Sequence, residues 1–140
     1  ELDRRTGIRY NYGYGIQANI DWKQTLGSEW RQYEAIFPAL DGSRIDQVSL
    51  ECANSRVPLS LLRLLSHKQL LVGASDVASL EVETPDQVAA TLRQVLAHAD
   101  AERISPCTNC GMAALSRRVA RGKLNSLSEG AEIVRRELTV

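Results

Sequence analysis

The chain has 140 residues, the size of one ordinary domain, and reads as a single domain over residues 1–140. It is 44% hydrophobic and 24% charged, with 17 basic and 17 acidic residues, which suits a soluble folded protein. No basic stretch alternates with aromatics, which argues against a nucleic-acid partner, and no apolar run nears the ~18 residues of a membrane span. Three cysteines are too few for a disulfide scaffold, so reduced thiols in a cytoplasmic protein are the simpler reading. The start, Glu1-Leu2-Asp3-Arg4-Arg5-Thr6-Gly7, has no initiator Met and no signal-peptide pattern, and reads as a processed or excised piece.

In chain order, residues 8–14 are β-prone, with Tyr10, Tyr12 and Tyr14 on one face, and break at Gly13 and Gly15. Residues 28–40 read as a helix with the apolar stripe Trp30, Tyr33, Ile36, Phe37 and Leu40. Trp22, Trp30 and Tyr33 look like packing residues of this first unit. Residues 45–50 form a second strand, and 58–65 a short leucine-rich helix opened by Pro58. Residues 69–77 form a third strand whose run Leu70-Leu71-Val72-Gly73 is apolar on both faces, as a parallel strand should be. Thr84-Pro85-Asp86-Gln87 then starts a helix: Thr84 caps, Pro85 fits the first turn and Gln87 stands where a capping box needs it. That helix runs to about His98, with Val88, Leu92, Val95 and Leu96 inward. Residues 102–106 make a fourth short strand, followed by two helical stretches, 113–121 and 124–138.

This order gives an α/β fold of four consecutive βα units with parallel strands and right-handed crossovers. A closed (β/α)8 TIM-type barrel needs roughly 250 residues, so four units are half of one. Such a half leaves edges and an apolar face that call for a partner. Functional residues in these sheets collect at the carboxyl ends of strands. Here those ends carry residues 13–16, 51–56, 76–79 and 107–111.

Two of these ends carry metal-type chemistry. Cys107 and Cys110 form one C-x-x-C, with Cys110 before Gly111 and near a helix start that would favour its thiolate. Metal ligation, a redox pair and a buried structural role all remain open for Cys110; the lateness of the motif makes the redox pair the weaker rival. Glu51 ends the second strand, where a carboxylate calls for a cation or a partner such as Arg56. Cys52 should point away from Glu51. Asp76 is a candidate substrate residue at the rim or a loop cap. Asn54, Ser55 and Arg56 follow Glu51, and Arg56 suits a carboxylate or phosphate as well as a surface salt bridge. His67 and His98 fall on the opposite rim and read as solvent-exposed.

Tyr12-Gly13-Tyr14-Gly15-Ile16, Leu26-Gly27-Ser28-Glu29-Trp30-Arg31-Gln32-Tyr33, Val48-Ser49-Leu50-Glu51-Cys52 and Cys107-Thr108-Asn109-Cys110-Gly111-Met112 carry a resemblance. The chain resembles the carboxyl-terminal half of the cobalamin-independent methionine synthases, above all their short, single-barrel members. The resemblance implies a (β/α)8 barrel with zinc at its carboxyl rim. There zinc binds the thiol of homocysteine, and the thiolate attacks the methyl group of a donor such as methyltetrahydrofolate.

By position, Glu51 resembles the family's carboxylate ligand and Cys110 its cysteine ligand. The other two family ligands are a His and a Cys, and their positions here hold Arg9 and Asn11. The long enzymes carry a histidine proton donor where Ala78 stands, and the short members do without it. Groups that bind homocysteine's amine and the methyl donor come mostly from the amino-terminal half. Beside the methyltransferase stand two other readings. One is a non-catalytic half-barrel that needs a second copy or a separate amino-terminal half. The other is a dithiol or metal-binding module of Cys107 and Cys110 helped by Glu51 or Cys52.

Overall fold

A computed structural model describes residues 2–3, 8–10, 16–17, 29–54 and 58–139, with side chains at 34, 36–54 and 58–139. Three short strands, β1 (Leu2–Asp3), β2 (Ile8–Tyr10) and β3 (Ile16–Gln17), pair antiparallel in that order. The strand expected over 8–14 is thus present over Ile8–Tyr10, but it pairs with its sequence neighbours rather than joining a parallel sheet. Closing a short local loop costs less chain entropy than a crossover through a helix. The described parallel sheet therefore has three strands instead of four.

Helix α1 (Glu29–Asp41) is close to the expected 28–40 and buries Phe37. Ile36, expected on the apolar stripe, is 54% exposed; the side chains of Trp30 and Tyr33, and all of Trp22, lie outside the described residues. The parallel sheet follows with order β4 (Gln47–Glu51), β5 (Gln69–Ser75), β6 (Ile104–Thr108). Its register sets Glu51 opposite Gly73 and Gly73 opposite Cys107. A 3-10 helix over Leu59–Leu64 links β4 to β5 and buries Leu61 and Leu62.

Strand alternation sorts the sheet into two unlike faces. Leu70, Val72 and Ala74 of β5 are at most 2% exposed and join one core with Phe37, Leu65, Val88, Leu92, Val95 and Val134. Val48, Leu50 and Ile104 flank them on the same side. The other face carries Ser49, Glu51, Leu71, Gly73, Ser105 and Cys107, and Ser49, Glu51 and Ser105 are exposed. Among the described residues the helices pack on one face of the sheet, as in a barrel wall and unlike a doubly wound sheet. Pro106, which has no N–H to give a ladder, is tolerated because β6 is an edge of this sheet.

Helix α2 (Pro85–Leu96) starts as the sequence requires. The Thr84 hydroxyl accepts from the Gln87 N–H at 3.2 Å, and the Gln87 side chain accepts from the Thr84 N–H at 2.8 Å. The two stretches expected over 113–121 and 124–138 are one helix, α3 (Arg117–Leu138), capped by Ser116. Gly122 and Lys123, which look like a break, serve packing instead. A Cβ at Gly122 would stand 3.0 Å from a Val82 methyl, and Lys123 is wholly buried. Among the described residues no helix is long and apolar enough to cross a membrane.

α2 and α3 meet at Gly130, where a Cβ would lie 2.7 Å from Val88 Cβ, Val88 Cγ1 and the Pro85 carbonyl oxygen. In an open helix, Gly→Ala stabilises by about 1 kcal/mol. Here the sign reverses: Gly130→Ala should destabilise by about 1–3 kcal/mol through overpacking. A lowered urea midpoint with unchanged slope is expected, and an equal or higher midpoint would contradict this contact.

Candidate functional site

The carboxyl ends of β4, β5 and β6 are joined by a small set of hydrogen bonds. Beyond β4, the N–H groups of Cys52 and Ala53 both donate to the Gly73 carbonyl, at 2.9 and 2.7 Å. Beyond β6, the Asn109 N–H donates to the Ser75 carbonyl at 2.9 Å. The Asn109 side-chain amide then reaches across β5 and donates to the Ala53 carbonyl, also at 2.9 Å. One residue thereby ties all three strand ends together, directly before Cys110. The Thr108 hydroxyl donates to the Cys110 carbonyl at 2.8 Å and shapes the turn.

This crossing exists because position 73 has no side chain. A Cβ there would lie 2.4 Å from Asn109 Oδ1, 2.9 Å from Asn109 Cα and 3.1 Å from the Leu50 carbonyl oxygen. Asn109 Oδ1 is itself buried, with no hydrogen-bond partner among the described residues. On the β4 side the chain turns at Asn54, whose φ of 55° lies in the left-handed region that Asn tolerates.

Asp76 stands beyond β5 at the same rim. One carboxylate oxygen accepts from the Asn54 amide at 2.9 Å and the other from the Ala78 N–H at 2.9 Å. The Asn54 and Ala78 bonds hold the Asp76 carboxyl below the usual carboxylate range, against a small effect of burial and with help from the Lys123 charge. Asp76 is thus an ionised acceptor fixed from two sides.

Glu51 and Cys110 are both exposed at this rim. Cys52 and Cys107 differ from them. Burial pushes the Cys52 thiol up to about 11, with the nearby Cys107 adding to the shift. Burial also raises Cys107, against a smaller opposing effect of the Ser49 side chain. Both thiols stay protonated at neutral pH, which disfavours a Cys107–Cys110 redox pair because such pairs need a lowered thiol. Among the described residues no group of three or more His, Cys, Asp and Glu is gathered to hold a metal. Glu51 and Cys110 therefore suit zinc in kind but fall short of a tetrahedral set in number. Arg9 lies on β2, and Asn11, Ser55 and Arg56 lie outside the described residues.

His67 and His98 precede β5 and β6 and so belong to the opposite rim, as expected. The His67 ring is 80% exposed, with its Nδ1 2.6 Å from an Asp41 carboxylate oxygen. His98, expected to be exposed, is half-buried, with an Nδ1 that has no partner among the described residues. It follows the last turn of α2 and lines a cavity with Arg63, Ser66 and Arg103.

Sequence reasoning missed Asn109, Glu83 and Lys123. Glu83 accepts from the Asp76 N–H at 2.8 Å and from the Ser75 hydroxyl at 3.1 Å, and pairs with Lys123 at 3.0 Å. Burial alone would raise the Glu83 carboxyl. Its own backbone N–H, Lys123, the Asp76 N–H and Ser75 outweigh that and leave it below the usual range. The sequence signal was Lys123 itself, a charge on the inward helical stripe Val119, Lys123, Ser126, Gly130 and Val134.

A family model described as the cobalamin-independent synthase catalytic domain matches residues 28–133. The chain belongs to this family. It is 36% identical over 110 residues to a methionine synthase of Thermococcus kodakarensis, covering 78% of this chain and 33% of that protein. It is 35% identical over 134 residues to the methionine synthase of Saccharolobus solfataricus, covering 89% of this chain and 40% of the relative. A solved B12-independent methionine synthase from a Shewanella species, in complex with selenomethionine, matches with a TM-score of 0.78 and 62% identity. That match covers 91% of this chain and 38% of the other. The chain thus spans well under half the length of these relatives. Their family places the one-faced sheet of β4, β5 and β6 in the TIM-barrel class.

Gly73→Ala should destabilise the protein by about 1–3 kcal/mol and displace Asn109 from Ala53. Chemical denaturation together with the Asn109 side-chain amide resonances would register both. Wild-type stability with unmoved resonances would contradict the crossing.

Proposed function

We propose that this chain is the carboxyl-terminal half of a methionine-synthase barrel and takes part in methyl transfer to the thiol of homocysteine. The observation that carries the reading is the placement of Glu51 and Cys110 at the carboxyl ends of β4 and β6, within a chain of this family. The face of Ser49, Glu51, Leu71, Gly73, Ser105 and Cys107, opposite the helix-packed core, supports it, since it suits the inner wall of a barrel that another half would close. A separate amino-terminal half or a second copy of the chain would be that partner.

Glu51 and Cys110 would hold zinc together with donors from outside the described residues. Arg9 and Asn11 stand where the resemblance implies a His and a Cys; the Arg9 guanidinium opposes a cation, and Asn11 offers only a neutral amide in place of a thiolate or imidazole. When bound, zinc would keep the homocysteine sulfur a nucleophilic thiolate at neutral pH. The chain's own residues prepare the rim. Asn109 holds the Cys110 turn against the Glu51 turn. Asp76 offers an ionised acceptor to a donor group of the substrate. Burial holds the Cys52 and Cys107 thiols above the ordinary range, whereas Cys110 is exposed at the rim. The methyl donor is proposed to be a methyltetrahydrofolate or a similar compound, and the compartment the cytoplasm.

Zinc content and methyl transfer from methyltetrahydrofolate to homocysteine, measured on the intact protein and on Cys110→Ser, test this reading. Stoichiometric zinc and activity, both lost in Cys110→Ser, are expected. A protein with neither zinc nor transfer would defeat the proposal, and transfer that survives Cys110→Ser would remove Cys110 from it.

A further inference from the structure

Lys123 is a fully buried charge near the start of α3. Its ammonium donates to the Asp76 carbonyl at 2.8 Å, the Glu81 carbonyl at 2.5 Å and both Glu83 carboxylate oxygens at 3.0 Å. Glu83 in turn takes the Asp76 N–H and the Ser75 hydroxyl. The two side chains therefore grip the loop over 76–83 at both its ends. The Asp76 peptide is held on its N–H side by Glu83 and on its carbonyl side by Lys123. What remains to Asp76 is its carboxylate, which is aimed at Asn54 on the neighbouring strand end. Asn54, Asp76, Ser79 and Glu83 line a cavity of about 390 Å³ beside this loop.

A buried ion pair is a poor means of gaining stability, because desolvation consumes much of its attraction. Its better attested use is to specify one arrangement among several. Here the arrangement specified is the path of the loop that leaves β5 at the candidate rim. We propose that Lys123 and Glu83 are positioning residues, a buried latch that couples α3 to the rim and fixes the Asp76 carboxylate beside Asn54. The activity arm of its test rests on the methyl-transfer reading; the position of the loop is read separately.

The test compares the intact protein with Lys123→Met, Lys123→Arg and the double variant Lys123→Met/Glu83→Gln. The double variant leaves no orphaned buried charge, so it folds where the single Met variant fails. Amide hydrogen exchange reads the loop, and kcat and KM for methyl transfer read the site. In the double variant, exchange at Asp76 and Ala78 should quicken roughly tenfold or more while Val72 and Leu92 stay protected. Methyl transfer should fall with it, and Lys123→Arg should recover part of both. Unchanged exchange at Asp76 and Ala78, an equal rise throughout the core, or a quickened loop with unchanged kcat and KM would each overturn the proposal. If the unmodified protein transfers no methyl group, the methyl-transfer reading is what fails, and the exchange pattern alone decides the latch.

Discussion

Asn109 crosses the end of β5 in the space that a side chain at position 73 would fill, and the candidate rim is built on that crossing. Three parallel strand ends would otherwise diverge into separate loops. Bonds from Cys52, Ala53 and Asn109 onto β5 draw them together within one short stretch of backbone. Glu51 stands just before this stitch and Cys110 just after it. A glycine thus brings the Glu51 strand end and the Cys110 turn to one edge by giving Asn109 room to cross. Preorganisation of this kind lowers the cost of assembling a site.

The same economy governs the sheet. One face is sealed by Leu70, Val72 and Ala74 against the helices, and the other carries mostly small or polar residues around Leu71, with Glu51 at its end. A face of serine, glycine and cysteine around the single large apolar Leu71 drives burial less strongly than the helix-packed side does. The latch of Lys123 and Glu83 connects the two sides. It places buried charge within the helix layer, against the loop that leaves β5 at the candidate rim.

Features that depend on near neighbours in sequence were legible in advance. The Thr84-Pro85-Asp86-Gln87 box, the apolar run of β5 and the placing of Glu51 and Cys110 at strand ends all follow from local spacing. Features that depend on register were not. Asn109 acquires its role only when β6 lies parallel to β5 with Cys107 opposite Gly73. Gly122 and Lys123 looked like a break in α3 because the partners that justify them, Val82 and Glu83, are some forty residues away in the chain. His98 was read as exposed because its shielding comes from packing and not from its neighbours in sequence. The ion pair expected between Glu51 and Arg56 concerns a residue outside those described.

The central claim is that Glu51 and Cys110 converge on one cation. Thiol labelling of the intact protein, with and without zinc, tests it most directly. Cys110, the exposed thiol, should react well ahead of Cys52 and Cys107, and zinc should protect it. Replacing Glu51 with Gln should abolish that protection without altering the labelling rate in the absence of metal. Zinc that leaves Cys110 reactive, or that protects it equally well in Glu51→Gln, would contradict the account.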